Sequence, residues 1–310
     1  MTAAFPHVAV LMATYNGAKF LPQQLASLAA QTHKNWDLWA SDDGSTDATL
    51  DILRRCQENW GPEKLHILRG PQKGFQHNFL CLTAREDISA DYYAWSDQDD
   101  IWLPTKLARA LNCLGPLGSD QPALYGGRAI LTDRADRDYG RSPIMNRRPP
   151  GFANALVENL AGGNTMVFNQ KARELIVAEY PFEIAFHDWW AYLVVSGCGG
   201  RMIYDPEPQI RYRQHGDNLI GHKGCFNPLR YVKNLLAGKF KRYVSLNLAA
   251  LQKIAFQLTS ENSQKLEAFI LLRRLNNPLR RLTRFQAGTF HRQTALRQAA
   301  ACLAVMLGKV

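Results

Sequence analysis

The sequence lacks the patterns that mark disulfide-linked, zinc-bound and membrane-spanning proteins. Its six cysteines are scattered and include no Cys-x-x-Cys pair, which argues against a zinc site or a disulfide framework and favours a reducing compartment. No apolar run approaches the ~20 residues that cross a bilayer. The N-terminus has no basic segment before its short apolar stretch, so no signal peptide is indicated. We therefore expect a cytoplasmic protein.

What is present is an ordinary globular composition with an uneven charge. The chain has 310 residues, of which 46% are hydrophobic, enough for one large domain and an appendage. Residues 223–310 contain 16 lysines or arginines and only two acidic residues, Glu261 and Glu267. A basic helical tail over residues 226–310 is therefore predicted, and anionic lipid, nucleic acid and phosphorylated substrates remain its candidate partners.

Strand-like and helix-like segments alternate along the first 95 residues. This alternation predicts an α/β fold with a mainly parallel sheet flanked by helices. The predicted strands are Val8–Ala13, Asp37–Ser41, Leu65–Arg69 and Tyr92–Trp95. The predicted helices are Phe20–Ala30, a segment capped by Thr46 or Asp47 and ending near Asn59, Gly74–Arg85 and, later, Phe186–Val195.

Polar clusters follow three of these strands. They have the sequences TYNG, DDGS and SDQDD. Ligands of parallel sheets bind beyond the carboxyl ends of the strands. The three clusters therefore predict one ligand site at that edge.

Asp97 and Asp99 follow a buried strand with one residue between them. Two carboxylates at a strand end can bind a hard cation such as Mg²⁺ or Mn²⁺, which would neutralise a diphosphate. The alternative is an acidic turn that only caps a helix beginning near Pro104.

Asp43 lies in the segment Asp-Asp-Gly-Ser that follows the second predicted strand. Its carboxylate can accept the imide N–H of a uracil or thymine ring. The alternative is an Asp-Gly turn with a helix cap.

Asp188 lies beside Trp189 and Trp190 on a predicted helix. An aspartate among aromatic residues is desolvated, which raises its proton affinity and suits a general base. The two indole faces could stack on sugar rings. Alternatively, both tryptophans belong to the core and Asp188 is an exposed helix residue.

Three further residues could bind a diphosphate. Arg213 and His215 lie next to a glycine-containing loop, and His215 could also complete a metal shell. Lys73 precedes a predicted helix. A solvated loop histidine and an exposed surface lysine are the alternatives.

In order along residues 6–222, these motifs resemble the family-2 glycosyltransferases of bacterial polysaccharide assembly, which have the GT-A fold. The resemblance depends on a long opening segment and three later motifs. These are VAVLMATYNGAKFLPQQLASLAAQTHKNWDLWASDDGSTDAT, AWSDQDDIWLPTKL, FHDWW and YRQHGDNLIG. The later motifs are most similar to the rhamnosyltransferase branch, and residues 1–225 would form the catalytic domain.

The resemblance implies a role for each matching residue. Thr14, Tyr15, Asn16 and Asp43 would contact the nucleoside, Asp97 and Asp99 would form the Asp-x-Asp metal pair, Asp188 would be the catalytic base, and His215 would close on the diphosphate. The family's usual acidic residue before the base is His187 here.

The implied reaction is a single displacement, dependent on Mn²⁺ or Mg²⁺, that inverts the anomeric carbon. The first donor candidate is dTDP-L-rhamnose, and UDP-hexoses or UDP-N-acetylhexosamines are the alternatives. A glycan or lipid-linked glycan would accept the sugar. The basic tail is expected to contact an anionic membrane on its inner face, unless it only presents a solvated basic face of helices packed on the catalytic domain.

Two other function classes fit the sequence less well. A nucleic-acid-binding protein would suit the high pI, but we find no recognisable reading element, and the acidic rim would repel phosphates. A glycan-binding relative without activity is disfavoured because Asp43, Asp97, Asp99 and Asp188 are all present.

Overall fold

The computed structural model describes residues 5–214 and 237–310, and it has a mixed α/β architecture. The strands are β1 (Val8–Thr14), β2 (Trp36–Asp42), β3 (Leu65–Arg69), β4 (Tyr92–Asp97), β5 (Ile101–Trp102), β6 (Ala123–Gly127), β7 (Ile130–Thr132), β8 (Asp138–Arg141), β9 (Val167–Asn169), β10 (Arg201–Asp205) and β11 (Ile210–Arg213). The α-helices are α1 (Leu21–Ala29), α2 (Thr49–Trp60), α3 (Phe75–Ala84), α4 (Lys106–Leu114), α5 (Phe152–Ala155), α6 (Gln170–Ile176), α7 (His187–Gly197), α8 (Lys239–Lys253), α9 (Ser260–Arg274), α10 (Pro278–Ala287) and α11 (Ala295–Met306).

The described strands form two sheets. The larger has the order β10-β6-β9-β4-β1-β2-β3, and the smaller has the order β5-β11-β7-β8. Strands β4, β1, β2 and β3 are mutually parallel, while β9 runs antiparallel to both β4 and β6. The predicted α/β fold with a mainly parallel central sheet is therefore confirmed.

Strand β1 shows why the central sheet needs helices on both faces. Val8, Val10 and Met12 belong to one hydrophobic core, whereas Ala9 and Leu11 belong to the other. Successive side chains of a strand point to opposite faces, and all five are fully buried. A continuous apolar run of this kind is typical of a parallel strand covered on both sides.

The basic C-terminal helices pack into the same core as helix α7. Leu251, Phe269 and Phe285 are buried in one cluster with Trp190. Hydrogen bonds add to this packing, since the Asn247 Oδ1 atom of α8 accepts the backbone N–H of residue 185 at 3.0 Å. The region predicted as a tail is thus integrated into the fold over residues 239–306, and the predicted boundary near residue 225 lies outside the described residues.

Candidate functional site

The carboxyl ends of β4, β1 and β2 lie side by side. Ala13 of β1 is in register with Asp97 of β4, and Thr14 is in register with Asp42 of β2. Neighbouring strands are about 4.8 Å apart, so the ends of β2 and β4 are separated by about 10 Å. This edge brings together the three polar clusters that the sequence predicted to meet.

Asp42 and Thr14 form the buried base of this edge. The Thr14 hydroxyl donates to the Asp42 carboxylate at 3.0 Å, and the backbone N–H groups of Gly44 and Ser45 donate to the same carboxylate at 3.1 and 2.8 Å. Thr14 is 1% exposed, so its side chain supports the loop from inside. Tyr15, the next residue, is 57% exposed.

Asn16 joins the loop after β1 to the loop after β2. Its Oδ1 atom accepts the Thr46 N–H at 2.8 Å, and its own N–H donates to the Ser45 hydroxyl at 2.8 Å. Asn16 has φ of +49°, a left-handed conformation that asparagine tolerates better than most residues. Asn16 therefore fixes the loop after β1 relative to the loop after β2.

Gln98 connects the loop after β1 to the loop after β4. Its side-chain amide accepts the Tyr15 N–H at 2.9 Å and donates to the Tyr15 carbonyl at 2.8 Å. Gly17 lies against this amide so closely that a Cβ atom there would overlap the Gln98 side chain. No motif in the sequence marks Gln98 as a site residue, although its position between Asp97 and Asp99 is a usable signal.

Asp43 fixes the loop that carries Lys73. One carboxylate oxygen accepts the Gln72 N–H at 2.6 Å and the other accepts the Gly74 N–H at 3.0 Å. Gly74 has φ of +88°, a conformation that glycine adopts without strain. Lys73 is exposed at the tip of this loop, so the structure brings Asp43 and Lys73 together at the β2 side of the edge.

Asp97, Asp99 and Asp188 form an electrostatically coupled group of carboxylates. Burial, followed by the charges of Asp99 and Asp188, raises the pKa of Asp97 to about 8. Hydrogen bonds place Asp188 beside the loop of residues 97–100, because the Gly163 N–H donates to Asp188 and the neighbouring Asn164 side chain donates to Asp100. Chain segments about 90 residues apart thus meet at the β4 end.

Asp100 is the buried residue of the acidic loop, which we define as residues 97–100. It is fully buried, and its carboxylate accepts the Asn164 amide at 2.5 Å and the Arg213 N–H at 3.3 Å. Helix α4 begins after this loop, with no acidic residue in its first turn and no side-chain cap. The alternative in which these aspartates only cap a helix is therefore wrong.

Arg213 packs against the buried side of the acidic loop and not against its solvent-exposed side. Its side chain is 1% exposed, and its guanidinium donates to the Asp99 carbonyl at 3.0 Å, to Asp136 at 2.5 Å and to Gln23 at 2.6 Å. These contacts hold the backbone of Asp99 in place, so direct contact with a diphosphate stays a prediction. His215 lies outside the described residues.

Asp188 occupies the first turn of α7 and faces the acidic loop. Its carboxylate accepts the Trp189 N–H at 2.6 Å and the Gly163 N–H at 3.2 Å. Burial raises the pKa of Asp188 to about 6, and the hydrogen bonds from Trp189 and Gly163 oppose that rise. A carboxylate with this pKa is ionised at neutral pH and retains a useful proton affinity.

The residues around Asp188 belong to the core. Trp189 and Trp190 are 5% and 0% exposed, and their indole N–H groups donate to backbone carbonyls. The idea that these indoles stack on a sugar is therefore wrong. His187 is stacked on Phe79 with ring centroids 4.4 Å apart, and burial lowers its pKa to about 3. The residue before Asp188 is thus neutral.

A divalent cation fits the Asp97–Asp99 pair. Carboxylate oxygens suit Mg²⁺ and Mn²⁺, which commonly bind one or two carboxylates together with substrate phosphates and water. Within residues 5–214 and 237–310, no three His, Cys, Asp or Glu residues are placed to hold a metal. Burial raises the pKa of Asp97 most and the charges of Asp99 and Asp188 add to it, and a bound cation would stabilise the ionised carboxylate against both effects.

Comparisons with known proteins identify the family of the chain. The family model "Glycosyl transferase family 2" matches residues 9–172. The dTDP-rhamnosyl transferase RfbG of Shigella flexneri is 31% identical over 237 residues, which are 72% of this chain and 79% of that protein. An uncharacterised glycosyltransferase of Rickettsia typhi is 25% identical over 83% of this chain and 78% of its own length.

Solved structures share the fold at low sequence identity. The Pyrobaculum calidifontis mannosyltransferase PcManGT, in complex with GDP-Man and Mn²⁺, has a TM-score of 0.57 at 16% identity and covers 99% of this chain and 86% of its own. S. aureus TarS 1–349 in complex with UDP-GlcNAc has a TM-score of 0.58 at 14% identity, and the match covers 86% of this chain and 71% of TarS 1–349. The chain therefore belongs to glycosyl transferase family 2 and has the GT-A fold.

Proposed function

We propose that the protein is an inverting, metal-dependent glycosyltransferase that moves a sugar from a nucleoside-diphosphate donor to a glycan or lipid-linked glycan in bacterial surface polysaccharide synthesis. The observation that carries the proposal is that Asp188 lies beside the loop of Asp97 and Asp99 at the end of β4, where Gly163 and Asn164 donate hydrogen bonds to Asp188 and Asp100. Such a group offers both a place for a cation and a base. That the enzyme works in the cytoplasm stays a prediction.

The donor is bound along the edge from β2 to β4. Asp43 and Tyr15 would contact the nucleoside, and the exposed Lys73 would contact a phosphate. Asp97 and Asp99 would hold the divalent cation, which when bound would stabilise negative charge on the departing diphosphate. Gln98 and Arg213 position the two loops on which these residues lie.

Asp188 acts on the acceptor. Its carboxylate takes the proton from an acceptor hydroxyl while that oxygen forms a bond to the anomeric carbon. The bond between the anomeric carbon and the diphosphate oxygen breaks in the same step, and the nucleoside diphosphate leaves with the electron pair. A single displacement inverts the anomeric carbon.

The proposed donor is dTDP-L-rhamnose, supported by the similarity to RfbG. UDP-hexoses and UDP-N-acetylhexosamines are the alternative donors, and UDP-GlcNAc is the ligand named for TarS. Hydrolysis and transfer measured with dTDP-L-rhamnose, UDP-GlcNAc, UDP-glucose and GDP-mannose would decide among them. Turnover with none of these, combined with glycan binding, would instead favour a non-catalytic binding protein.

The pKa of Asp188 predicts how transfer depends on pH. A base with a pKa of about 6 loses its ionised fraction below that value. At saturating metal, kcat/KM is expected to fall about tenfold per pH unit below about pH 6 and to level off above it. Tryptophan fluorescence over the same range would establish that the fold persists. A flat profile between pH 5 and pH 8 would contradict the role of Asp188.

Gly17→Ala is expected to weaken donor binding. The added methyl group would overlap the Gln98 side chain and break its contacts with the Tyr15 backbone. We expect the KM for the donor to rise about tenfold, the equivalent of one lost hydrogen bond. Gly140→Ala is the matched control, because a Cβ atom at Gly140 meets nothing within 4 Å. Equal KM values for the two variants would contradict the role of the Gln98 bridge.

A further inference from the structure

Three helix ends meet at one corner of the C-terminal helices. The Arg281 guanidinium donates to the Leu275 carbonyl at 2.5 Å, just after α9, and to the Met306 carbonyl at 3.2 Å, at the end of α11. Arg273, near the end of α9, donates to the Val310 carbonyl at 2.9 Å. The end of α9, the start of α10 and the end of α11 are therefore adjacent. We call residues 271–281 and 306–310 the basic corner.

Leucines are exposed on the basic corner. Leu271, Leu279 and Leu307 are 61%, 71% and 47% exposed. The core is filled by other residues of the same helices, such as Phe269 and Phe285, which are fully buried. About half or more of each of these three side chains is thus left in solvent, and exposed apolar residues near one another are typical of an interaction site.

The charge around these leucines is mostly positive, although the exposed Glu267 lies one helical turn before Leu271 on α9. Residues 268–310 contain eight lysines or arginines and no aspartate or glutamate. Arg274 and Arg280 are exposed on the basic corner. Beside them, an open groove of about 320 Å³ between α8 and α9 is lined partly by Lys241, Arg273 and Arg274. The surface therefore favours an anionic partner.

We propose that the basic corner binds the surface of a bilayer rich in anionic lipid. Leu271, Leu279 and Leu307 would enter the headgroup region, while Arg274 and Arg280 pair with lipid phosphates. Apolar and basic side chains on one surface are the combination that interfacial membrane binding uses. A nucleic-acid backbone would satisfy the arginines but leave the leucines in water. No helix among the described residues could span a bilayer, so the contact would be peripheral.

The test uses the full chain, because removing the C-terminal helices would expose the core they share with α7. Flotation would compare vesicles of phosphatidylcholine with vesicles of an equimolar phosphatidylcholine–phosphatidylglycerol mixture. We expect binding to the mixed vesicles only, with release at high salt. Equal binding to both kinds of vesicle, or binding to neither, would overturn the proposal.

The leucine contribution is tested by the combined variant Leu271→Ser, Leu279→Ser and Leu307→Ser. Its binding to mixed vesicles is expected to fall at least about tenfold, because three apolar side chains no longer enter the bilayer. Leu296→Ser is the matched control: Leu296 is 81% exposed but lies about 16 Å from Leu307 along α11. The same loss in the control would overturn the assignment to this corner.

The charge contribution is tested by Arg274→Glu with Arg280→Glu, with Arg54→Glu and Arg55→Glu on α2 as a control of equal charge change. Only the first pair is expected to lose vesicle binding. Binding of a single-stranded oligonucleotide that depends on Arg274 and Arg280, without vesicle binding, would show a nucleic-acid surface instead. These binding measurements do not depend on sugar transfer, so they can fail while the proposed activity stands.

Discussion

Asp188→Asn is expected to abolish sugar transfer while donor binding persists. Asparagine has nearly the same shape and can still accept a backbone hydrogen bond, but it cannot take a proton from the acceptor hydroxyl. Removal of a general base typically costs 10²–10⁴-fold, so we expect kcat to fall about a thousandfold. Transfer is measured as released nucleoside diphosphate, and donor affinity by calorimetry with the intact nucleotide sugar.

Two companion variants make this result interpretable. Asp188→Glu keeps a carboxylate but displaces it, so it should retain more activity than the asparagine variant. Asp120→Asn changes an exposed carboxylate just before β6, at the edge of the sheet opposite the site, and should leave kcat unchanged. Near wild-type turnover by Asp188→Asn would show that another group is the base. Loss of donor binding would show that Asp188 supports the fold of the site.

The placement of the site could be predicted because it follows from strand direction. The polar residues after β1, β2 and β4 must meet once those strands are parallel neighbours, and the pairing of β1 with both β2 and β4 is what the structure shows. The alternation of side chains within β1 also explains why Thr14 is buried although it belongs to the polar cluster after that strand. Thr14 continues the buried face of Val10 and Met12, whereas Tyr15 lies beyond the strand.

The supports of the site could not be predicted, because they join residues far apart in sequence. Asn164 and Arg213 reach Asp100 across 64 and 113 positions. No local pattern encodes such a pair, since it depends on how two loops pack after the sheet has formed. The buried guanidinium of Arg213 could not be predicted for the same reason. The sequence indicates an arginine near the site, but it does not indicate that carbonyl, carboxylate and amide oxygens of the protein surround the guanidinium.

The burial of Trp189 and Trp190, in contrast, could be predicted from the sequence. Helix α7 has the sequence HDWWAYLVVSG, apolar on every side beyond its first turn. A helix that is apolar all round belongs in a core. Periodicity therefore favoured the core alternative for Trp189 and Trp190, and only the first turn of α7, where Asp188 lies, reaches the site. The C-terminal helices combine both signals, since basic residues predict a tail while apolar positions such as Leu251, Phe269 and Phe285 are buried in the core.

Asp99→Asn is expected to remove the metal response of the enzyme. The change takes away the charge of one of the two carboxylates that we propose hold a cation, and Asp97 alone would be a weak site. We expect kcat/KM at saturating Mn²⁺ to fall about 10²–10³-fold, the usual effect of losing one group that stabilises transition-state charge. The amide keeps the size of the side chain, and the Arg213 contact with the Asp99 carbonyl involves only the backbone.

Binding of Mn²⁺ gives this prediction a readout that does not require turnover. Free Mn²⁺ measured by electron paramagnetic resonance in the presence of dTDP should show uptake by the wild type and at least about tenfold weaker uptake by Asp99→Asn, since a lost ligand weakens binding at least as much as a lost supporting contact. Asp120→Asn should match the wild type. If Asp99→Asn bound Mn²⁺ normally, Asp99 would not be a ligand. If wild-type transfer were unaffected by a chelator, the reaction would not depend on metal, and the crowded carboxylates at the end of β4 would need another explanation.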